Sequence, residues 1–175
     1  GFTCLDILPN GSVRVSPLPI SRQATEELRS NLLMFYTGIR RDSSDILREQ
    51  GEGARDGKKN VIESMHRIKE IGHEIRDSLV KEDLPRFGRL MDEHWRAKTQ
   101  ISSRMSDPRI DRWYRRGLES GALGGKLVGA GGGGFLLFYC EGERRNQLRQ
   151  AMAEEGLRPM HFDWENSGSR ILVNL

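Results

Sequence analysis

The sequence predicts an α+β domain, an antiparallel sheet packed against helices in two layers. Three observations point there. A strand-turn-strand pattern surrounds Asn10-Gly11. Two short apolar segments flank the glycine run at 129–134, too close together for a crossover helix, so they pair antiparallel. Between these regions the apolar residues recur at helical spacing.

The elements follow in order. Phe2, Cys4 and residues 5–8 lead into Pro9-Asn10-Gly11-Ser12, and Val13-Arg14-Val15 leaves it, which reads as a hairpin. Pro17 and Pro19 end that pattern. Ser21 is a good N-cap for a helix over 22–31. Residues 32–37 are apolar and stop at Gly38, so they form a buried strand. Residues 39–42 make an Arg-rich turn, and Ser43 or Ser44 caps a helix to about Gln50. Gly51, Gly53 and Gly57 then predict a break into a loop.

Val61, Met65, Ile68, Ile75 and Leu79 form one helical stripe, and Leu84, Phe87, Leu90, Met91, Trp95 and Ile101 a second. Asp83 and Pro85 start the second helix. A third starts at Asp107-Pro108, carries Ile110, Trp113, Tyr114 and Leu118, and ends at Gly121. Beyond the glycine run and its two strands, residues 144–155 form a helix stopped by Gly156. Residues 160–164 alternate as a strand, 166–168 turn, and 170–175 form a last strand, giving a hairpin at this end too.

A chain of 175 residues forms one domain with a proper core, and 36% hydrophobic with 30% charged residues suits a globular protein. The longest apolar run, Phe135 to Cys140, is six residues long against the ~20 a bilayer requires, so no membrane partner is expected. The net charge is +3 from 28 basic and 25 acidic residues, interleaved along the helices, which argues against a nucleic-acid partner. Cys4 and Cys140 are too few for a disulfide framework and read as reduced thiols of a cytoplasmic protein. The chain opens on Gly1 directly in a strand pattern, so further sequence is expected upstream.

The glycine run is the most informative stretch. Nine of the 20 glycines fall between Gly117 and Gly134. Glycines serve positive φ angles or the close approach of a backbone or ligand, and successive N–H groups can cradle an anion. Gly129, Ala130, Gly131, Gly132, Gly133 and Gly134 formally contain a dinucleotide fingerprint. That motif needs a following helix, and the strand-like Phe135-Leu-Leu-Phe138 excludes it. A Walker A loop is excluded because Leu127 follows Gly125-Lys126 where Ser or Thr would hold magnesium. A plain hairpin without a ligand remains open on composition alone.

Other polar residues carry two readings each. Arg40 and Arg41 follow the buried strand and could meet a sugar phosphate in bidentate fashion, or line a solvated turn. Lys126 faces a phosphate or an exposed strand face. Ser43 and Ser44 read as helix caps rather than ligands. His66, His73, His94 and His161 do not form a metal-ligand set, and Glu63 and Glu70 read as surface charges. Trp95, Trp113 and Trp164 read as core or interface residues.

The whole segment Gly124-Gly-Lys-Leu-Val-Gly-Ala-Gly-Gly-Gly-Gly-Phe-Leu-Leu-Phe138 resembles the third signature motif of the GHMP small-molecule kinases, which include galactokinase, homoserine kinase, mevalonate kinase and phosphomevalonate kinase. Leu33-Met-Phe-Tyr-Thr-Gly38, Arg40, Asp42-Ser-Ser-Asp-Ile-Leu47 and the opening hairpin resemble the branch acting on D-glycero-D-manno-heptose 7-phosphate. The similarity covers essentially the whole chain, as the C-terminal half of such an enzyme. It implies the ferredoxin-like C-terminal domain of that superfamily with extra helices. The family's ATP-phosphate motif, P-x-x-x-G-L-G-S-S-A, and its acidic catalytic residue belong to an N-terminal domain, and this chain has no such segment. The resemblance therefore implies no catalytic residue here, a glycine loop at the domain interface, and an inactive chain when isolated. It implies ATP and Mg2+ for the parent enzyme, and as partners the N-terminal kinase domain and a sugar phosphate, here phosphorylated at its anomeric hydroxyl. A face left without that domain would favour homo-oligomers. The competing reading is a non-catalytic binding or assembly module on the same fold.

Overall fold

A computed structural model describes residues 1–39, 43–101, 106–129 and 133–168, with the backbone alone for 43, 45–47 and 50. The opening hairpin pairs β1 (Thr3–Ile7) with β2 (Val13–Pro17) as a separate two-stranded ribbon, Leu5 opposite Val15. Gly11 takes a φ of +81° in its turn. Helix α1 (Arg22–Asn31) begins where Ala24 N donates to Ser21 Oγ at 3.1 Å, as the capping signal predicts. It runs without a loop into β3 (Leu32–Tyr36).

The main sheet is antiparallel, in the order β4 (Gly124–Val128), β5 (Phe135–Tyr139), β3, β6 (Arg158–Met160). Its two faces differ. Leu33, Phe35, Leu127, Leu136 and Phe138 are buried against α5 (Pro108–Glu119) and α6 (Arg144–Glu154) through Ile110, Trp113, Tyr114, Leu148 and Met152. On the other face burial is graded. Leu32 and Tyr139 are buried beneath Leu28, Leu79, Leu84 and Met91. Farther along, Met34, Tyr36, Lys126, Phe135 and Leu137 are half-buried and Val128 is exposed. The uncovered end is the one that carries the glycine turn.

That grading comes from the long pair α3 (Lys59–Val80) and α4 (Leu84–Thr99). They join through Asp83, whose carboxylate accepts from Arg86 N at 3.0 Å, with Pro85 in the first turn as expected. A charged lattice ties them: Arg67 bonds Glu74 at 2.9 Å and Glu93 at 2.6 Å, and Arg86 bonds Glu93 at 2.8 Å and also Glu74. Helix α4 lies against β4 at backbone contact. A side chain on Gly124 would overlap the Gly88 carbonyl and reach within 2.6 Å of Asp92 N. Glycine at both positions is what admits this approach.

The structure corrects several expectations. Helix α2 (Ser43–Arg55) does not stop near Gln50 but continues through Gly51 and Gly53. Gly53 packs on α3, where an added Cβ would stand 3.2 Å from Val61 Cγ2. The stop comes at Gly57, φ +68°, with Lys58 N donating to Gly53 O at 3.0 Å and Gly57 N to Ala54 O at 3.2 Å. In the α3 stripe Met65 is exposed, and Ile71, outside the expected stripe, is fully buried.

The strand expected at 160–164 forms instead at Arg158–Met160 and pairs with β3, Tyr36 opposite Arg158. Residues 162–164 leave the sheet because their aromatic rings pack elsewhere. Trp164 lies edge-on to Phe2 at 4.9 Å and to Phe162 at 5.6 Å, and its Nε1 donates to Thr25 O at 3.2 Å. The expected turn at 40–42 and strand at 170–175 lie outside the described residues. Both cysteines are free thiols, Cys140 buried and Cys4 half-buried. Among the described residues no helix is long and apolar enough to cross a membrane.

Candidate functional site

The β4–β5 hairpin ends at the pair Val128 and Phe135, and its turn is entered at Gly129 (φ +98°) and left at Gly134 (φ +94°). One flank of the turn is clamped to the end of β3. Thr37 N and Thr37 Oγ1 both donate to Gly134 O, at 2.9 and 2.8 Å. Gly134 N donates to Ile39 O at 3.0 Å, and Ile39 N donates to Thr37 Oγ1 at 3.2 Å. A Cβ on Gly133 would stand 2.5 Å from Ile39 O, so no side chain fits there. The turn is thereby fixed beside the residues that immediately precede Arg40.

The other flank is basic. Lys98, in the last turn of α4, donates to Gly129 O at 3.1 Å. His94 precedes it by one helical turn, on the same side. Lys126 shares its strand face with Gly124 and Val128, the face that meets α4. Burial lowers the Lys126 pKa. Burial and then the charge of Lys126 lower that of Lys98. His94 is pushed down to about 4, by burial first and then by the charges of Lys126 and Lys98. Its buried Nδ1 has no hydrogen-bond partner among the described residues. No carboxylate among them pairs with either lysine.

A polar anchor holds this flank from below. Tyr114 Oη lies 2.9 Å from Asp92 Oδ1 and 3.2 Å from Gly125 O, and Arg96 pairs with Asp92 at 2.8 Å. Burial, then the charge of Asp92, holds the Tyr114 phenol above its ordinary pKa, so it stays a donor. Helix α4, helix α5 and strand β4 meet at this one hydroxyl.

Of the residues singled out in the sequence, Gly129, Gly133, Gly134 and Lys126 converge on the turn. Ala130, Gly131, Gly132, Arg40 and Arg41 lie outside the described residues. Sequence reasoning missed Lys98, His94 as a neighbour of Lys126, and Thr37. The one available signal was position: His94 and Lys98 border Met91 and Trp95 on a helix whose apolar side is buried.

The chemistry of this donor set suits an anion. Half-buried lysines without carboxylates, beside a glycine turn, fit a phosphate group such as a nucleotide or sugar phosphate carries. They do not fit a metal ion, and among the described residues no group of three His, Cys, Asp or Glu could hold one. Ligands for Mg2+ would come from outside them.

Residues 75–157 match the family model for the GHMP kinases C terminal. The chain is 29% identical over 168 residues to D-glycero-alpha-D-manno-heptose 7-phosphate kinase of Campylobacter jejuni, covering 96% of this chain and 49% of that protein. It thus spans about half the length of that relative. A putative sugar kinase from Campylobacter jejuni superposes with a TM-score of 0.65 at 26% identity, covering 91% of this chain and 44% of the other. The L. major mevalonate kinase in complex with R-mevalonate superposes with a TM-score of 0.70 at 20% identity, over 86% of this chain and 46% of that one, a likeness of fold. The glycine turn and both its strands lie inside the segment, residues 75–157, that matches the model for the GHMP kinases C terminal.

Proposed function

We propose that this chain works as the C-terminal half of a cytoplasmic, ATP-dependent sugar kinase, which transfers the γ-phosphoryl group of ATP to the anomeric hydroxyl of a heptose 7-phosphate with Mg2+. The observation that carries the reading is the glycine turn, held by Thr37 and Ile39 on one flank and by Lys98 on the other, where Lys98 and Lys126 have no carboxylate partner among the described residues. The similarity to a heptose 7-phosphate kinase along 96% of the chain supports the substrate class.

In this reading the work is divided. Phosphoryl transfer depends on positioning and on stabilising negative charge. This chain's part is to fix the turn and to hold positive charge close to it. Lys98 and Lys126 are already partly desolvated, so their attraction for a phosphate is stronger than that of fully solvated lysines. The proton acceptor for the sugar hydroxyl and the main ATP-phosphate loop belong to the N-terminal kinase domain, the partner proposed for the open half-face of the sheet.

The test is an ADP-release assay with ATP, Mg2+ and D-glycero-D-manno-heptose 7-phosphate, on this chain alone and on the chain joined to its upstream kinase half. Turnover is expected only for the joined form. Comparable turnover by the chain alone defeats the division of roles. A joined form that phosphorylates fucose or galactose and leaves the heptose phosphate untouched defeats the substrate assignment.

A further inference from the structure

We propose that Lys98, Lys126 and His94 form a binding site for a phosphomonoester dianion, on the uncovered half of the sheet face beside the glycine turn. Two elements build the site in step. From the Gly88–Gly124 contact to the Lys98–Gly129 hydrogen bond, α4 advances ten residues and β4 five. At helical and strand rises these are about 15 Å and about 17 Å, so helix and strand stay side by side over that length. His94 and Lys98 therefore both stand over Lys126.

The charges at this place are treated differently from those elsewhere in the chain. Arg67 and Arg86, on the same helix pair, share Glu74 and Glu93 and are neutralised. Burial lowers the pKa of Lys98 and of Lys126, the charge of Lys126 lowers that of Lys98 further, and neither has a carboxylate partner among the described residues, whereas hydrogen bonds to carboxylates raise those of the two arginines. Partly desolvated like charges without compensation are unfavourable. A ligand carrying close to two negative charges relieves both at once, and a phosphomonoester near pH 7 is such a ligand. A single carboxylate would match only one ammonium group. Beside the two lysines, His94 Nδ1 is buried with no hydrogen-bond partner among the described residues. The site is open to solvent from the turn side, where Val128 is 41% exposed.

Such a dianion has two sources, a sugar's own phosphate or the terminal phosphate of a nucleotide. That the site would hold the sugar phosphate not transferred in catalysis rests on the kinase reading above, whereas the dianion site itself does not.

The test is calorimetric titration of the full chain at low ionic strength with inorganic phosphate, glucose 6-phosphate and ADP. Inorganic phosphate is expected to bind, and Lys98→Met and Lys126→Met are each expected to weaken it by about tenfold or more, the loss of one charge-assisted hydrogen bond. Lys81→Met, which removes an exposed positive charge elsewhere, leaves the affinity unchanged. Lys126→Met is expected to melt no lower than the wild type, because a shape-matched apolar side chain removes an uncompensated charge. Loss of binding in that variant is then not loss of fold. Glucose 6-phosphate binding that falls in the same variants assigns the sugar source, and ADP binding that alone falls assigns the nucleotide source. Wild-type binding no tighter than that of Lys126→Met overturns the site. No arm requires turnover, so a failed kinase assay leaves this result readable, and the reverse.

Discussion

Thr37 holds Gly134 twice: its backbone nitrogen and its hydroxyl both donate to the Gly134 carbonyl, at 2.9 and 2.8 Å. The same hydroxyl accepts from Ile39 N at 3.2 Å. Thr37→Val keeps the shape, removes both hydroxyl bonds and leaves the Ile39 N–H buried without a partner. The expected loss is about 1–3 kcal/mol in urea unfolding, the cost of an unsatisfied buried donor. Thr37→Ser should recover most of it. A loss confined to Thr37→Ser, with Thr37→Val as stable as the wild type, would assign the effect to the methyl group instead.

Two glycines should respond to alanine in opposite directions. At Gly124 the new methyl overlaps the Gly88 carbonyl and crowds Asp92 N, both of them backbone. The expected destabilisation is about 3 kcal/mol, the upper end for overpacking, because neither atom can move away by rotamer change. Gly72 sits exposed in the interior of α3 with open space around it. Gly72→Ala should stabilise by about 0.5–1 kcal/mol from helix propensity alone. Thermal melts of the pair check both signs.

The depressed pKa of His94 sets a pH dependence. In the fold the imidazole stays neutral down to about 4, while in the unfolded chain it takes a proton near its ordinary value of 6.5. Between these limits the unfolded state binds more protons, so stability falls as pH drops from 6.5 towards 4 and levels off below. The groups facing it are Lys98 and Lys126, whose charges add to burial in holding the imidazole neutral. His94→Gln should flatten this part of the curve. A slope identical to that of the wild type would show that His94 protonates freely in the fold.

Glu74 acts in a lower window. Its hydrogen bonds to Arg86, then to Arg67, hold its carboxyl below the usual range. Stability from this group is present above the unfolded carboxylate pKa and is lost as pH falls through the folded one. The side chain is 37% exposed, so solvent screening keeps each pair to about 0.2–1 kcal/mol. Glu74→Gln should cost that much per pair at neutral pH and progressively less as pH falls through the folded pKa, and 1 M NaCl should shrink the difference. A full effect surviving at high salt would mean the lattice is not screened.

Local signals were legible in the sequence, and long-range ones were not. The Ser21 cap, the Asn10-Gly11 turn and the Asp83–Pro85 start are decided within a few residues, and each stands where the chain's chemistry puts it. Gly51 and Gly53 misled because propensity is local, whereas α2 continues by packing Gly53 against Val61 of another helix. Phe162 and Trp164 alternate as a strand would, yet their rings find Phe2 and α1, and the ladder forms two residues earlier. The glycine turn was legible as a turn because its residues are consecutive. The basic cluster was not, since Lys98 and Lys126 meet only through the approach of Gly88 to Gly124, which no spacing along the chain encodes.

The graded cover over the second sheet face has a kinetic consequence. Along β5 the strand passes from the sealed side of Tyr139 to the half-covered side of Phe135 within five residues. Amide deuteration should sort those five positions by rank. Those near Tyr139 should exchange only when the whole domain opens, and those near Phe135 through brief peeling of the hairpin tip. The strand that carries the turn would then be anchored at one end and able to breathe at the other.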